Sequence, residues 1–231
     1  MKESAAAAVV ALVLTTSCGG ASAGHGHGHH RGHGDRVPHP ELSAAQYAAM
    51  LDDPERDAWQ MPERLVRELG ISRGMTVADL GCGSGYFLPY LHAAVAPDGH
   101  VLGEDIDAEL LAIAHHKVEQ QGLTTVTLRE GLPADPRLEA GRYDFVLLVD
   151  TYHHILDRPT FLGHVRRSLR PQTGRFVVVD FREDATRGPP RQHRIPRADV
   201  IRELGQAGMR LDRELTFLPH QFVLVFAASS T

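Results

Sequence analysis

The segment Val77-Ala78-Asp79-Leu80-Gly81-Cys82-Gly83-Ser84-Gly85 carries the strongest chemical signal in the chain. Glycines at alternate positions behind an acid let the backbone pass close to a nucleotide-type ligand, because no Cβ stands in the way. The spacing is D-x-G-x-G-x-G, not the G-x-G-x-x-G of dinucleotide sites. About 20 residues further on stands Asp105, at the distance where an acid can hydrogen-bond ribose hydroxyls. Later, Asp150-Thr151-Tyr152-His153-His154 follows an apolar run. The imidazoles of His153 and His154 titrate in the range a proton-transfer base needs. The same pair can instead cap or pack the helix that follows. His193 and Arg194 lie in a loop before another helix, and Tyr47 and Trp59 in an N-terminal helical segment. Trp59 suits the core, and Cys82 reads as a packed loop residue rather than a nucleophile.

A second kind of chemistry is written into residues 24–34, GHGHGHHRGHG. Neutral imidazoles bind zinc, copper or nickel weakly. With almost nothing apolar to offset ordering entropy, such a stretch is expected to be disordered and to act as a tether. No regular ligand set can be read from it, so no metal site is assigned.

The elements that must position the glycine loop alternate between helix-like and strand-like patterns. Helices are expected at 41–53, 62–69, 87–95, 107–121, 158–169 and 197–207. Pro62 suits a first-turn position, and Asp107 and Gly122 the two ends of their helix. Strands are expected at 76–80, 100–105, 124–129, 143–149, 175–181, 211–217 and 221–227. The run YDFVLLV at 143–149 has the near-continuous apolar character of a strand buried on both faces. The last two strands are separated by Leu218-Pro219-His220, a hairpin-length connection. The fold class is therefore α/β: a seven-stranded, Rossmann-like, mostly parallel sheet with helices on both faces and an antiparallel C-terminal hairpin.

The D-x-G-x-G-x-G loop resembles motif I of class I S-adenosylmethionine-dependent methyltransferases. Asp105 at the end of the second strand, Asp144 in Tyr-Asp-Phe-Val, and the reversed last strand agree with that family. Within it, Asp150 to Ile155 followed by Leu169-Arg170-Pro171-Gln172-Thr173-Gly174-Arg175 looks like the quinone-methyltransferase-like group of small-molecule enzymes. Gln172-Thr173-Gly174 stands where Pro-Gly-Gly is commoner, and Arg129-Glu130-Gly131-Leu132-Pro133 where Gly-Asp often precedes the adenine contact. The resemblance implies S-adenosyl-L-methionine as cofactor, with Asp79, Gly81, Gly83 and Gly85 holding its methionine part. It also implies Asp105 on the ribose and Asp150 facing the methionine amine. Asp150-Thr151-Tyr152-His153 replaces the Asn/Asp-Pro-Pro-Tyr of amino-methyltransferases, which points to a small-molecule acceptor. The stretch from Asp52 to Gln60 and His193-Arg194-Ile195-Pro196 are also similar to uncharacterised bacterial methyltransferases with lipoprotein-like leaders.

Residues 5–14, AAAAVVALVL, are too short for a spanning helix, which needs about 20 apolar residues. They fit the roughly 7–15-residue apolar region of a secretory signal. Leu14-Thr15-Thr16-Ser17-Cys18 resembles a lipobox, with Thr15 where an aliphatic residue is usual. The expected organisation is a leader at 1–18, a tether at 19–39 and a methyltransferase domain at 40–231, with a helical lid over about 40–70. This implies a lipid anchor at Cys18 and a place in the bacterial cell envelope; the alternative is an uncleaved tail in the cytoplasm. Two cysteines imply no disulfide framework. A net charge of −5 gives no reason to expect a nucleic-acid partner, and Arg166, Arg167 and Arg170 suit a solvated helix end. Two rival readings stand: an anchored binding protein with a degenerate fold and a metal-binding tract, and an NAD-dependent oxidoreductase. The glycine spacing and the absence of a second domain disfavour the latter.

Overall fold

A computed structural model describes residues 42–229; the expected leader, Cys18 and Gly/His tether lie outside the described residues. The apolar runs become β1 (Thr76–Leu80), β2 (His100–Asp105), β3 (Val126–Glu130), β4 (Phe145–Val149), β5 (Arg175–Phe181), β6 (Met209–Leu215) and β7 (Gln221–Ala228). They form one seven-stranded sheet in the order β3-β2-β1-β4-β5-β7-β6. The first five strands pair in parallel, and β7 runs antiparallel to both β5 and β6.

Every residue of β4 is buried, as a strand covered on both faces requires. The two-residue period then splits the core. Phe145, Leu147 and Val149 join Val77, Val177 and Val223 on one face, beneath α3 (Pro62–Leu69), α4 (Leu88–Val95) and α5 (Ala108–Gln120). Val146 and Leu148 join Ala78, Val178 and Leu224 on the other, beneath α6 (Arg158–Ser168) and α7 (Arg197–Gln206). Each such Val or Leu contributes about 1.5–3 kcal/mol on burial. The edge strands β3 and β6 carry Arg129, Arg210, Asp212 and Arg213, charges that discourage pairing with another sheet.

Three short helices precede the sheet. α1 (Ala44–Leu51) opens on a capping box made by Ser43 and Gln46, α2 (Arg56–Gln60) follows, and Met61 at φ 47° turns the chain into α3. The helix expected at 41–53 is thus shorter, and α2 is an element the sequence pattern missed. Asp107 caps α5, accepting from the Glu109 and Leu110 N–H groups, and Gly122 leaves it at φ 62°.

Two strands are displaced from expectation. β3 starts at Val126 because residues 123–125 form a turn, with Thr125 Oγ1 2.7 Å from His92 Nδ1. β6 starts directly after Gly208, because Met209 buries and pairs with Ala228; the connection to β7 therefore spans residues 216–220. Among the described residues, no helix is long and apolar enough to cross a membrane.

The strand order reverses between β1 and β4. In open α/β sheets the crevice outside the carboxyl ends of the strands at such a point is where ligands bind. The glycine loop, Asp105, Asp150 and the two histidines all leave the sheet at that edge.

Candidate active site

Gly81 and Gly83 adopt φ of 66° and 56°. A Cβ at Gly81 would lie 2.5 Å from Thr151 Cγ2, and one at Gly83 2.8 Å from Leu51 Cδ1. The left-handed backbone favours glycine at both positions, and at Gly81 the Thr151 side chain also leaves no room for a Cβ. The loop is tied to β2 by two bonds: Cys82 N–H donates to the Glu104 carbonyl (2.9 Å), and Gly83 N–H to Asp105 Oδ2 (2.8 Å). Asp105 Oδ1 accepts from Asp107 N–H at 2.9 Å. A carboxylate offers about four lone-pair sites, so Asp105 keeps capacity for a diol such as ribose. Cys82 is buried, and burial first, then the neighbouring acids, hold its thiol well above the usual range. It is a packed residue, not a nucleophile.

The cleft beside this loop is rich in negative charge. Burial, reinforced by the charge on Asp105 and opposed by Arg56, raises Asp79 to about 7. Burial also raises Asp105, against the backbone N–H groups that bond it. Asp150 is raised to about 6, chiefly by burial and further by Asp180, with Arg56 opposing. Tyr47 of α1 is raised by burial and then by the charges of Asp105 and Asp150. A cation entering this space would relieve the strain, whereas a diphosphate would be repelled.

Asp150 sits at φ 55° just past β4, and its carboxylate anchors two other elements. It accepts from Gln60 Nε2 at 3.0 Å, from Arg56 Nη2 at 3.2 Å, and from Gln221 Nε2. Gln60 is fully buried, and the Arg56 guanidinium lies 4.2 Å from the centre of the Tyr86 ring. Gln221 reaches this edge because β7 runs antiparallel to β5, setting Gln221 opposite Phe181. Asp150 therefore stands at the carboxyl edge of the sheet and holds α2 and β7 in place.

His153 and His154 lie in a 3-10 turn, Tyr152–His154, pinned by the Tyr152 hydroxyl donating to Glu203 at 2.6 Å. His153 Nδ1 lies 3.0 and 3.1 Å from the two oxygens of Asp180, at the end of β5. The His153 side chain is 6% exposed and that of Asp180 1%. Burial pulls the imidazole pKa down, but the Asp180 bond and charge, with the charge on Asp150, outweigh it and leave it raised. The His154 ring lies alongside, its centre 4.1 Å away. Trp59 closes this side, 5.8 Å from Phe181 and 6.3 Å from His220 between ring centres. His193 is exposed; Arg194 instead donates to backbone carbonyls of residues 182–189.

The sequence reading brought Asp79, the glycines, Asp105, Asp150 and His153 to one edge, and the structure places them there together. It did not find Asp180, Arg56 or Gln221 as site residues. An acid inside the apolar run RFVVVDF is the signal that marks Asp180, and a glutamine opening QFVLVF marks Gln221.

The strand order, the reversed β7 and the D-x-G-x-G-x-G loop tied to an acid on β2 define the class I S-adenosylmethionine-dependent methyltransferase fold. Residues 77–172 match a family described as a methyltransferase domain. A solved S-adenosylmethionine-dependent methyltransferase from Aquifex aeolicus is similar at a TM-score of 0.75 and 28% identity, covering 80% of this chain and 98% of that one. A demethylmenaquinone methyltransferase from Lactococcus lactis subsp. lactis is 26% identical over 132 residues, 57% of this chain and 51% of the relative. A nocamycin O-methyltransferase from Saccharothrix syringae is 34% identical over 98 residues, 42% of this chain and 35% of the relative. The chain thus spans about half the length, or less, of these curated relatives.

Proposed function

We propose that this protein transfers a methyl group from S-adenosylmethionine to a small molecule. The observation that carries this reading is the pairing of a ribose-competent acid, Asp105, with a cleft whose buried carboxylates are held above their usual pKa. That field suits a ligand bearing an ammonium and a sulfonium, and it disfavours a dinucleotide. When bound, S-adenosylmethionine supplies a methyl group already activated by the positive sulfur. The chain's own task is then to bind, orient and exclude water. The backbone of Gly81, Gly83 and Gly85, with Asp79, would hold the methionine part, Asp105 the ribose, and Asp150 would face the methionine amine. α1 covers the loop: Leu51 lies against Gly83, Ser84 donates to Asp52 at 2.9 Å, and Lys117 pairs with Asp52 at 2.6 Å. The similarity to methyltransferases named for demethylmenaquinone and nocamycin supports a small organic acceptor.

Isothermal titration of the full chain with S-adenosylmethionine and S-adenosylhomocysteine tests this. Saturable binding of both is expected, weakened by roughly a hundredfold in Asp105→Ala through loss of charge-assisted bonds worth about 1.5–3 kcal/mol. A folded protein that binds neither would refute the proposal.

A further inference from the structure

We infer that Asp180 is the positioning residue of a catalytic base, holding His153 so that its Nε2 takes a proton from the methyl acceptor. The acceptor is then a compound with a weakly acidic hydroxyl or C–H at the methylated atom, rather than an amine. The inference rests on the methyltransferase reading and deepens it.

The geometry is specific. Asp180 receives Phe181 N–H at 2.7 Å on Oδ1 and His153 N–H at 3.3 Å on Oδ2, so its own backbone and that of the facing turn both fix the carboxylate. The fixed acid meets His153 Nδ1, which must carry the hydrogen in that contact. In the neutral ring the lone pair is therefore on Nε2. His154, its ring centre 4.1 Å away and tilted by 43°, blocks rotation of the imidazole. Burying a carboxylate costs several kcal/mol, and an apolar residue would continue the β5 pattern, so strand stability alone does not account for Asp180. The charged groups facing the ring are Asp180 from β5 and Asp150 from the end of its own strand, the latter bound to Arg56 of α2.

The step balances without any further reactant. His153 Nε2 receives the proton of the acceptor's X–H bond. The electron pair of that bond forms the new bond to the methyl carbon, and the carbon–sulfur pair leaves with the sulfur. The imidazolium that results is neutralised by Asp180. A neutral amine already has its lone pair and needs no base within the step, whereas a hydroxyl or carbon acid does.

Long-range proton–nitrogen NMR of the full chain, labelled at histidine and assigned through His153→Gln, tests the inference without turnover. His153 is expected to be a single Nδ1–H tautomer. Its pKa should fall by about one pH unit on adding cationic S-adenosylmethionine, and not on adding neutral S-adenosylhomocysteine. Asp180→Asn should lower the ring's pKa further and let the tautomers mix. If both ligands bind in calorimetry yet shift His153 equally, the base assignment is wrong and the methyltransferase reading survives. If neither binds, both fall. Should Asp180→Asn fail to fold, the comparison of the two ligands on the unaltered protein decides alone.

Discussion

Asp79 ends up buried at the close of β1, 3% exposed, with its carboxyl raised to about 7 by burial and by Asp105. The unfolded chain gives up that proton near 4, so between about 4 and 7 it binds fewer protons than the folded protein. Unfolding free energy therefore falls as pH climbs through this window, and the penalty is complete above it. A buried carboxylate tolerated at such a cost needs a compensating cation, and the ligand proposed here brings two positive groups. Asp79→Asn removes the penalty together with the attraction. It is expected to stabilise the unliganded protein by on the order of 2–4 kcal/mol at pH 8, with the gain vanishing near pH 4. S-adenosylmethionine should at the same time bind at least roughly tenfold more weakly. Urea unfolding at the two pH values, followed by calorimetry, checks both halves; a stability change independent of pH would remove Asp79 from the electrostatic account.

Among the elements, the segment joining β5 to α7 has no regular structure beyond one 3-10 turn, yet a single side chain organises it. Arg194 donates to the carbonyls of Arg182, Glu183 and Ala185 through Nη1, of Pro189 through Nε and of Arg187 through Nη2. Gly188, at φ 95°, passes so close to Phe181 that a Cβ there would sit 2.4 Å from the ring. The segment thus roofs the residue next to Asp180 and the ring that Trp59 packs on. Arg194→Lys keeps the charge but not the planar fork. It should cost about 1–3 kcal/mol and speed tryptic cleavage after Arg187 by roughly tenfold or more through local opening. Unchanged cleavage would mean the roof is held by something else. This loop also marks where sequence reading reaches its limit. The strands are legible because Phe145–Val149 and Arg175–Phe181 are dense apolar runs between turn residues, and the glycine loop because its spacing is local. The polar network is not, because Asp150 meets Gln60 and Gln221 across separations of 90 and 71 residues. α2, five residues with charges at its first two positions, has no apolar period to reveal it.

At the scale of the whole molecule, the buried acids at the carboxyl edge of the sheet act in concert. Glu104, beneath Gly131, is raised to about 8, mainly by burial and then by Asp105, while the Gly81 N–H opposes. Asp79, Asp105 and Asp150 are raised as well. Each acid contributes a penalty that is absent below its unfolded pKa and grows as pH rises toward its folded value. His153 acts in the same direction, since a raised imidazole gives stability that is lost as pH passes its folded pKa. These groups therefore add rather than cancel, with each pH unit of displacement corresponding to about 1.4 kcal/mol. The unliganded protein is expected to lose at least about 2 kcal/mol of stability between pH 5 and pH 8, the opposite of a fold held by salt-bridged acids. A cationic ligand favours the ionised acids, so the rise in Tm produced by saturating S-adenosylmethionine should be larger at pH 8 than at pH 5. S-adenosylhomocysteine, lacking the sulfonium, should show a shallower increase. Thermal unfolding of the full chain across that range, alone and with each ligand, measures the coupling. A ligand-induced rise in Tm that is flat with pH for both would mean the cleft does not use its charge to bind.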